Sequence, residues 1–312
     1  MRAALRATLA AVILAAAAGC GFMHPPVVPA DLAGDRAVAS IPARPLQYFG
    51  AYVDGAPASY SAITRFGRTV GRQPNLAPYY SAWLAPFQAG FAATAHAHGA
   101  VPLIQINPIK VPISAIARGQ YDPYLRSYAA QVREYRHPVI IGFGHEMNGP
   151  WFTWGWTHVP AKTFVAAWRH IVTVFRKAGA YNVTWLWTVN RNGNNTGPFR
   201  KYWPGASYVT WVGIDGYYEV SFDDFANIFG PTIRDIRRFT KKPVLVSETA
   251  AGVPAGQAAK IPDLFAGLRK WKALGFVWFD ELQKNGIHHQ DWHLDDDQAS
   301  ISEFRAGLRE FR

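Results

Sequence analysis

The sequence predicts a (β/α)₈ TIM barrel, an α/β fold, and three observations carry that prediction. Eight short apolar runs recur along residues 46–312, separated mostly by segments of helical length. The polar residues of those runs collect at their C-terminal ends. The span itself suits a barrel of about 250 residues.

Taken in order, the strand candidates begin with "QYFGAYV" (47–53), "NLAPYYSAW" (75–83), "VPLIQIN" (101–107) and "VIIGFGHE" (139–146). The second half supplies "VTWLWTVN" (183–190), "VTWVGIDGYY" (209–218), "PVLVSETA" (243–250) and "GFVWFDEL" (275–282). Helices are expected over 85–98, 122–136, 160–178, 222–239, 257–273 and 297–311. "AHAHGA", "RKAGA" and "KALGF" each put a glycine just past a helix, where a C-cap takes one. The connections after the first and fifth strands give no clear helical signal. A doubly wound open sheet is the alternative, but it wants a Gly-rich loop after its first strand. "AYVDGAPAS" is not G-x-G-x-x-G.

Upstream of the barrel, residues 1–20 read as a lipoprotein-type signal peptide. Arg2 and Arg6 precede the apolar "ATLAAVILAAAA", which is too short for a stable membrane span. It ends in "AAGC", which resembles a bacterial lipobox with Cys20 as the lipidated residue, although Ala17 stands where Leu is usual. Residues 21–45 are expected to form a Pro/Ala-rich tether, leaving 46–312 as the barrel. The expected location is extracellular or on the cell surface, with the membrane engaged only through the lipid anchor. Cys20 is the single cysteine, so the mature domain has no disulfide, thiolate metal site or cysteine nucleophile.

The formal net charge is +11, yet the 32 Lys and Arg are scattered and join no nucleic-acid-binding motif. A nucleic-acid partner is therefore not expected, and a basic surface suits anionic envelope polymers instead. Hydrophobic residues make up 49% of the chain and aromatics 14%, with 12 Trp, more than such a core needs. That excess suggests exposed stacking surfaces.

The strand ends carry Tyr52 and Asp54, Asn107, His145 and Glu146, Asn190, Asp215 and Tyr217, Glu248, then Trp278 and Asp280. In a barrel this is where chemistry sits. Two apolar strands, the fourth and seventh, terminate in glutamate, and burying a carboxylate without a partner is costly. Across a barrel mouth the two can face one another over a substrate. Facing carboxylates are what two-step glycosidic hydrolysis requires.

Other chemistries fit less well. A zincin needs H-E-x-x-H, and "HEMNG" has Gly149 at the second His position. The cluster "GIHHQDWHLDDD" offers His288, His289, Asp291 and His293, but with no recognised metal-ligand spacing. No G-x-S-x-G marks a serine hydrolase. A non-catalytic glycan-binding surface lipoprotein would use the same Trp platforms, but would not need both Glu146 and Glu248.

"HEMNGPW", "WPGASYVTWVGIDGYY", "VLVSETA" and "FVWFDE" together resemble glycoside hydrolase family 26. That family groups β-mannanases with some mixed-linkage β-glucanases and β-1,3-xylanases on a retaining (β/α)₈ barrel. The resemblance implies Glu146 as general acid/base and Glu248 as nucleophile; because a nearby negative charge raises its partner's pKa, Glu248 is expected ionised at rest and Glu146 protonated. It implies His145 shaping the subsite of the attacked ring, which strand alternation permits only if the strand bulges or ends there. It further implies Tyr217, with Tyr218 as rival, bonding the nucleophile, and Trp151 and Trp278 walling the subsites. Asn107 and Asn190 are expected at the substrate, and Trp154 and Trp156 read equally as subsite or packing. β-1,4-Mannan is the expected substrate of a monomer that needs no cofactor and no metal. Two departures stand out. "IIGFG" lacks the Arg that many relatives carry before the acid, and Asn107 replaces a His.

Overall fold

A computed structural model describes residues 41–283, 290–294 and 297–311. The first half runs β1 (Tyr48–Val53), α1 (Ser61–Thr69), β2 (Leu76–Ala82), α2 (Ala89–Ala97), β3 (Val101–Asn107), α3 (Ile113–Ala117), α4 (Asp122–Tyr135), β4 (Val139–Phe143). There follow α5 (Ala161–Lys177), β5 (Val183–Asn190), β6 (Trp211–Asp215), α6 (Phe225–Ile228), α7 (Gly230–Arg237), β7 (Val244–Thr249), α8 (Gln257–Lys270), β8 (Gly275–Asp280) and α9 (Gln298–Leu308). Neighbouring strands pair in parallel and β8 closes on β1, so the sheet is the eight-stranded barrel expected.

The two faces of each strand carry different loads. Inward, one residue from every strand, from Tyr48 on β1 to Val277 on β8, forms an apolar plug toward the N-terminal end. Outward side chains pack against the helices in a second, larger cluster. Helix α5 shows why that layer holds. Phe164, Trp168, Ile171 and Phe175 fall on one face and are buried, each stabilising the fold by roughly 1.5–3 kcal/mol. With plug and shell both filled, only the C-terminal mouth is left for polar groups.

Some elements differ from expectation for visible reasons. Helix α1 fills the connection after β1, which carries no clear helical signal, and the short α3 precedes α4 where no separate helix was expected. Between β5 and β6 there is no α-helix, only 3₁₀ turns at Phe199–Tyr202 and Ala206–Tyr208. The helix expected over 222–239 is split in two. A capping box between Asp224 and Asn227 starts α6, and Pro231 sits in the first turn of α7, where its missing N–H is tolerated. Gly99 and Gly179 end helices with φ of +74° and +78°, as C-cap glycines do. Gly275 instead opens β8, and a Cβ there would lie 1.6 Å from the carbonyl oxygen of Tyr48. At the other end of the barrel, Ile41 packs on the plug and Tyr48 donates its hydroxyl to the Pro42 carbonyl at 2.8 Å. Ile41 and Pro42, assigned to the tether, thus touch the barrel.

Candidate active site

Strand β4 ends at Phe143, and the next turns bring two adjacent side chains to the mouth. Gly144 and Glu146 both adopt φ of +53°. Glycine takes that region freely, whereas for Glu146 it costs about 1–2 kcal/mol. Long-range ties hold the turn. Gly144 N–H donates to Ile106 at 2.9 Å and Glu146 N–H to Thr188 at 3.0 Å. The Trp154 indole N–H donates to the His145 carbonyl at 2.7 Å. The strict alternation that would separate His145 from Glu146 is therefore broken.

Glu146 is buried and fully engaged. Asn190 Nδ2 donates to its Oε1 and Trp151 Nε1 to its Oε2, each at 2.6 Å. Asn148 fixes Asn190 in turn, accepting from its N–H at 2.9 Å and donating to its carbonyl at 2.8 Å. His145 meets Asn107 through Nδ1 at 3.0 Å, and burial drives its pKa down to about 3, so the ring is neutral.

On the opposite side, β7 reaches the mouth through a bulge. Ile214 pairs with Val246, but Asp215 pairs with Glu248, one residue out of step. The irregularity lets Ser247 and Glu248 both point inward. Ser247 Oγ donates to Asp215 at 2.5 Å. Tyr217 donates its hydroxyl to Glu248 Oε1 and Tyr80 donates to Oε2. Asn190 pairs with Asp215 and Asp215 with Glu248, so Glu146, Asn190, Asp215 and Glu248 form one layer over four successive strands.

The charge pattern departs from the expected one. Burial pushes Glu248 up to about 8, and the neighbouring charge of Glu281 adds to this. Two phenol donors act in the opposite sense, because hydrogen bonds to a carboxylate favour its charged form. Glu281 itself is raised to about 7, by burial and then by its hydrogen bond and charge contact with Asp54. Asp215 is held well above the carboxylate range by burial and the proximity of Glu146, against the hydrogen bond from Ser247. Burial likewise keeps Tyr217 a protonated donor.

Most expected site residues converge here, and one does not. Trp278 points outward and is fully buried, its N–H donating to the Trp292 carbonyl at 3.2 Å and its ring edge-on to Phe304. Strand parity explains the correction, since Val277 and Phe279 are the inward residues of β8. Phe279 stacks on Tyr52 at 5.1 Å and offers the aromatic wall instead. The Tyr217–Tyr218 ambiguity resolves, because Tyr218 turns away to bond Asp263 at 3.1 Å. Trp154 is packing, buried against Phe152. Gln105 on β3 fills the space that Gly142 leaves open on β4. A Cβ at Gly142 would lie 1.9 Å from Gln105 Oε1, and Gln105 Nε2 crosses to Thr188 Oγ1 at 3.0 Å.

Sequence reasoning gave Tyr80 and Asn148 no role, and left Asp215 at a strand end without one. Parity with the inward Leu76 marks Tyr80, whereas Asn148 has no such signal. In the His-rich loop, His293 bonds Asp291 at 2.8 Å. His288, His289, Cys20 and residues 1–40 lie outside the described residues.

The fold and site thus define a parallel barrel with two engaged carboxylates on β4 and β7. A glycosyl hydrolase family 26 profile matches residues 105–300, and the chain belongs to that family. Endoglucanase H of Acetivibrio thermocellus is 27% identical over 83% of this chain and 30% of its own length. A mannan endo-1,4-β-mannosidase of Bifidobacterium adolescentis is 32% identical over 44% of this chain and 13% of its own. The chain therefore spans less than a third of either relative. Among solved structures, a Cellulomonas fimi endo-β-1,4-mannanase double mutant superposes with a TM-score of 0.65 at 15% identity, covering 85% of this chain and 71% of that one. The Bacillus subtilis YdhT protein gives 0.62 at 16% identity, over 84% and 85%. At such identities these two attest the fold.

Proposed function

We propose that the chain is a retaining endo-β-glycosidase that hydrolyses β-1,4-mannan. One observation carries this reading: Glu146, in the turn after β4, and Glu248, near the end of β7, lie in a single polar layer, each oxygen of each carboxylate already engaged by a donor. Glu248 attacks the anomeric carbon while Glu146 passes its proton to the departing glycosidic oxygen. This leaves a glycosyl ester on Glu248. Forming the ester removes the charge of Glu248, so Glu146 becomes the better base and takes a proton from water. That water attacks the same carbon and releases Glu248 as a carboxylate. Two inversions give net retention. Mannan is supported by the relatives named mannan endo-1,4-β-mannosidase.

A β-glucan is the second reading, favoured because the relative aligned over 83% of this chain is named an endoglucanase. A relative named β-1,3-xylanase aligns over 33%. A depolymerisation panel of galactomannan, glucomannan, mixed-linkage glucan and β-1,3-xylan tests the choice. Reducing ends released from the mannans alone support mannan, and release from mixed-linkage glucan alone overturns it.

We further propose that residues 1–20 direct export and that Cys20 carries the lipid, holding the barrel at the cell surface by a tether. The "AAGC" ending supports this. Metabolic palmitate labelling that is lost in Cys20→Ala is the expected result, and unlabelled wild type contradicts it.

A further inference from the structure

The loop after β4 leaves two tryptophans at the surface, and only one of them touches a carboxylate. Trp156 is 40% exposed and Trp151 37%, while Trp154 between them is buried. Each exposed indole is seated on a glycine. A Cβ at Gly149 would come within 2.2 Å of the Trp151 ring, and one at Gly197 within 2.5 Å of Trp156 Cγ. Any other residue at either position would lift its indole off the backbone. The Trp156 seat belongs to the frame that holds Glu146. Gly197 N–H donates to the Asn148 carbonyl at 2.7 Å. Asn148 brackets Asn190, and Asn190 donates to Glu146.

Between Glu146 and that seat lies a cavity of about 210 Å³, lined by Trp151, Asn190, Arg191, Asn195, Tyr217 and Glu219 among others. Trp151 and Asn190, which donate to Glu146, both line it, so it adjoins the acid that protonates the leaving oxygen. Trp156 does not line it, but stands past it on Gly197, where the lining loop ends. A large indole held in place yet left in water gains little by packing and suits a ligand face.

Resting on the hydrolase reading, we infer that Trp156 is a stacking platform for the polysaccharide on the leaving-group side. It takes a sugar beyond the one that Glu146 releases. The indole face would meet the C–H face of a pyranose. Such a contact helps long substrates and is out of reach of short ones.

The test compares kcat/KM for galactomannan with kcat/KM for 4-nitrophenyl β-mannobioside, whose leaving group ends at the phenyl ring. The expected result is a polymer-to-aryl ratio about three- to tenfold lower in Trp156→Ala, as for loss of one aromatic contact. Trp156→Phe, which keeps an aromatic face at the position, restores most of it. An unchanged ratio in Trp156→Ala overturns the inference, and so does an equal loss on both substrates. Affinity electrophoresis of the full chain in galactomannan reads binding apart from hydrolysis. Retardation that weakens in Trp156→Ala supports the platform even if wild type releases no sugar, whereas equal retardation of both proteins overturns it. Wild type without turnover on any polymer would instead count against the hydrolase reading.

Discussion

Tyr80 on β2 donates its hydroxyl to Oε2 of Glu248 on β7, reaching past β1 and β8 to do so. With Tyr217 on Oε1, both oxygens of the carboxylate have a phenol partner. Tyr80→Phe removes one donor while keeping the ring against Tyr52 and His145. The variant is expected to fold, to lose about tenfold or more in kcat/KM, and to need a higher pH for activity. A stopped-assay pH profile checks both effects.

Glu281 pushes the same carboxylate in the other direction. Glu248 must be ionised to attack, so kcat/KM rises as pH climbs through its pKa, near 8 in the free protein. Removing a neighbouring negative charge lowers that pKa. Glu281→Gln is therefore expected to move the acid limb of kcat/KM toward lower pH, and an upward movement would contradict the charge pattern.

Glu146→Ala is expected to lose about 10²- to 10⁴-fold on polysaccharide, the usual worth of a positioned proton donor. It should lose far less on aryl glycosides whose phenolate leaves unaided. Full polysaccharide activity in this variant would remove Glu146 from the role of acid.

Stability should carry the mark of the buried nucleophile. Because folding raises the pKa of Glu248 from 4.5 to about 8, the folded protein holds the proton more tightly than the unfolded chain. The stability cost therefore begins as pH rises past the unfolded value, grows toward about 8, and is constant beyond. Glu248→Gln, which never ionises, is expected to raise Tm relative to wild type at pH 8.5 and to differ little at pH 4. Calorimetry at the two pH values measures the difference.

Much of this was readable in the residues. Parallel strands covered on both faces are apolar runs, which is why "VPLIQIN" and "VTWLWTVN" have the same ends in sequence and structure. Their polar last residues mark the mouth for the same reason. The wrong assignment of Trp278 came from reading residue type ahead of parity, since Phe279 beside it is the inward ring. Two features could not be read locally. The left-handed turn at Glu146 depends on Ile106 and Thr188, distant in sequence, and the β7 bulge depends on register with β6. Gln105 filling the space over Gly142 is likewise a tertiary event. The expectation of an ionised Glu248 left out burial and Glu281, which raise its pKa and do not show in "PVLVSE".

Hydrolysis with retention requires Glu248 to form a covalent bond with the substrate. Incubating the full chain with an activated 2-deoxy-2-fluoro-β-mannobioside, then mapping peptides by mass spectrometry, tests that bond directly. One fluoroglycosyl adduct on the peptide carrying Glu248, with matching loss of turnover, is the result expected. An adduct on Glu146, or hydrolysis without any adduct and with inverted product, would contradict it.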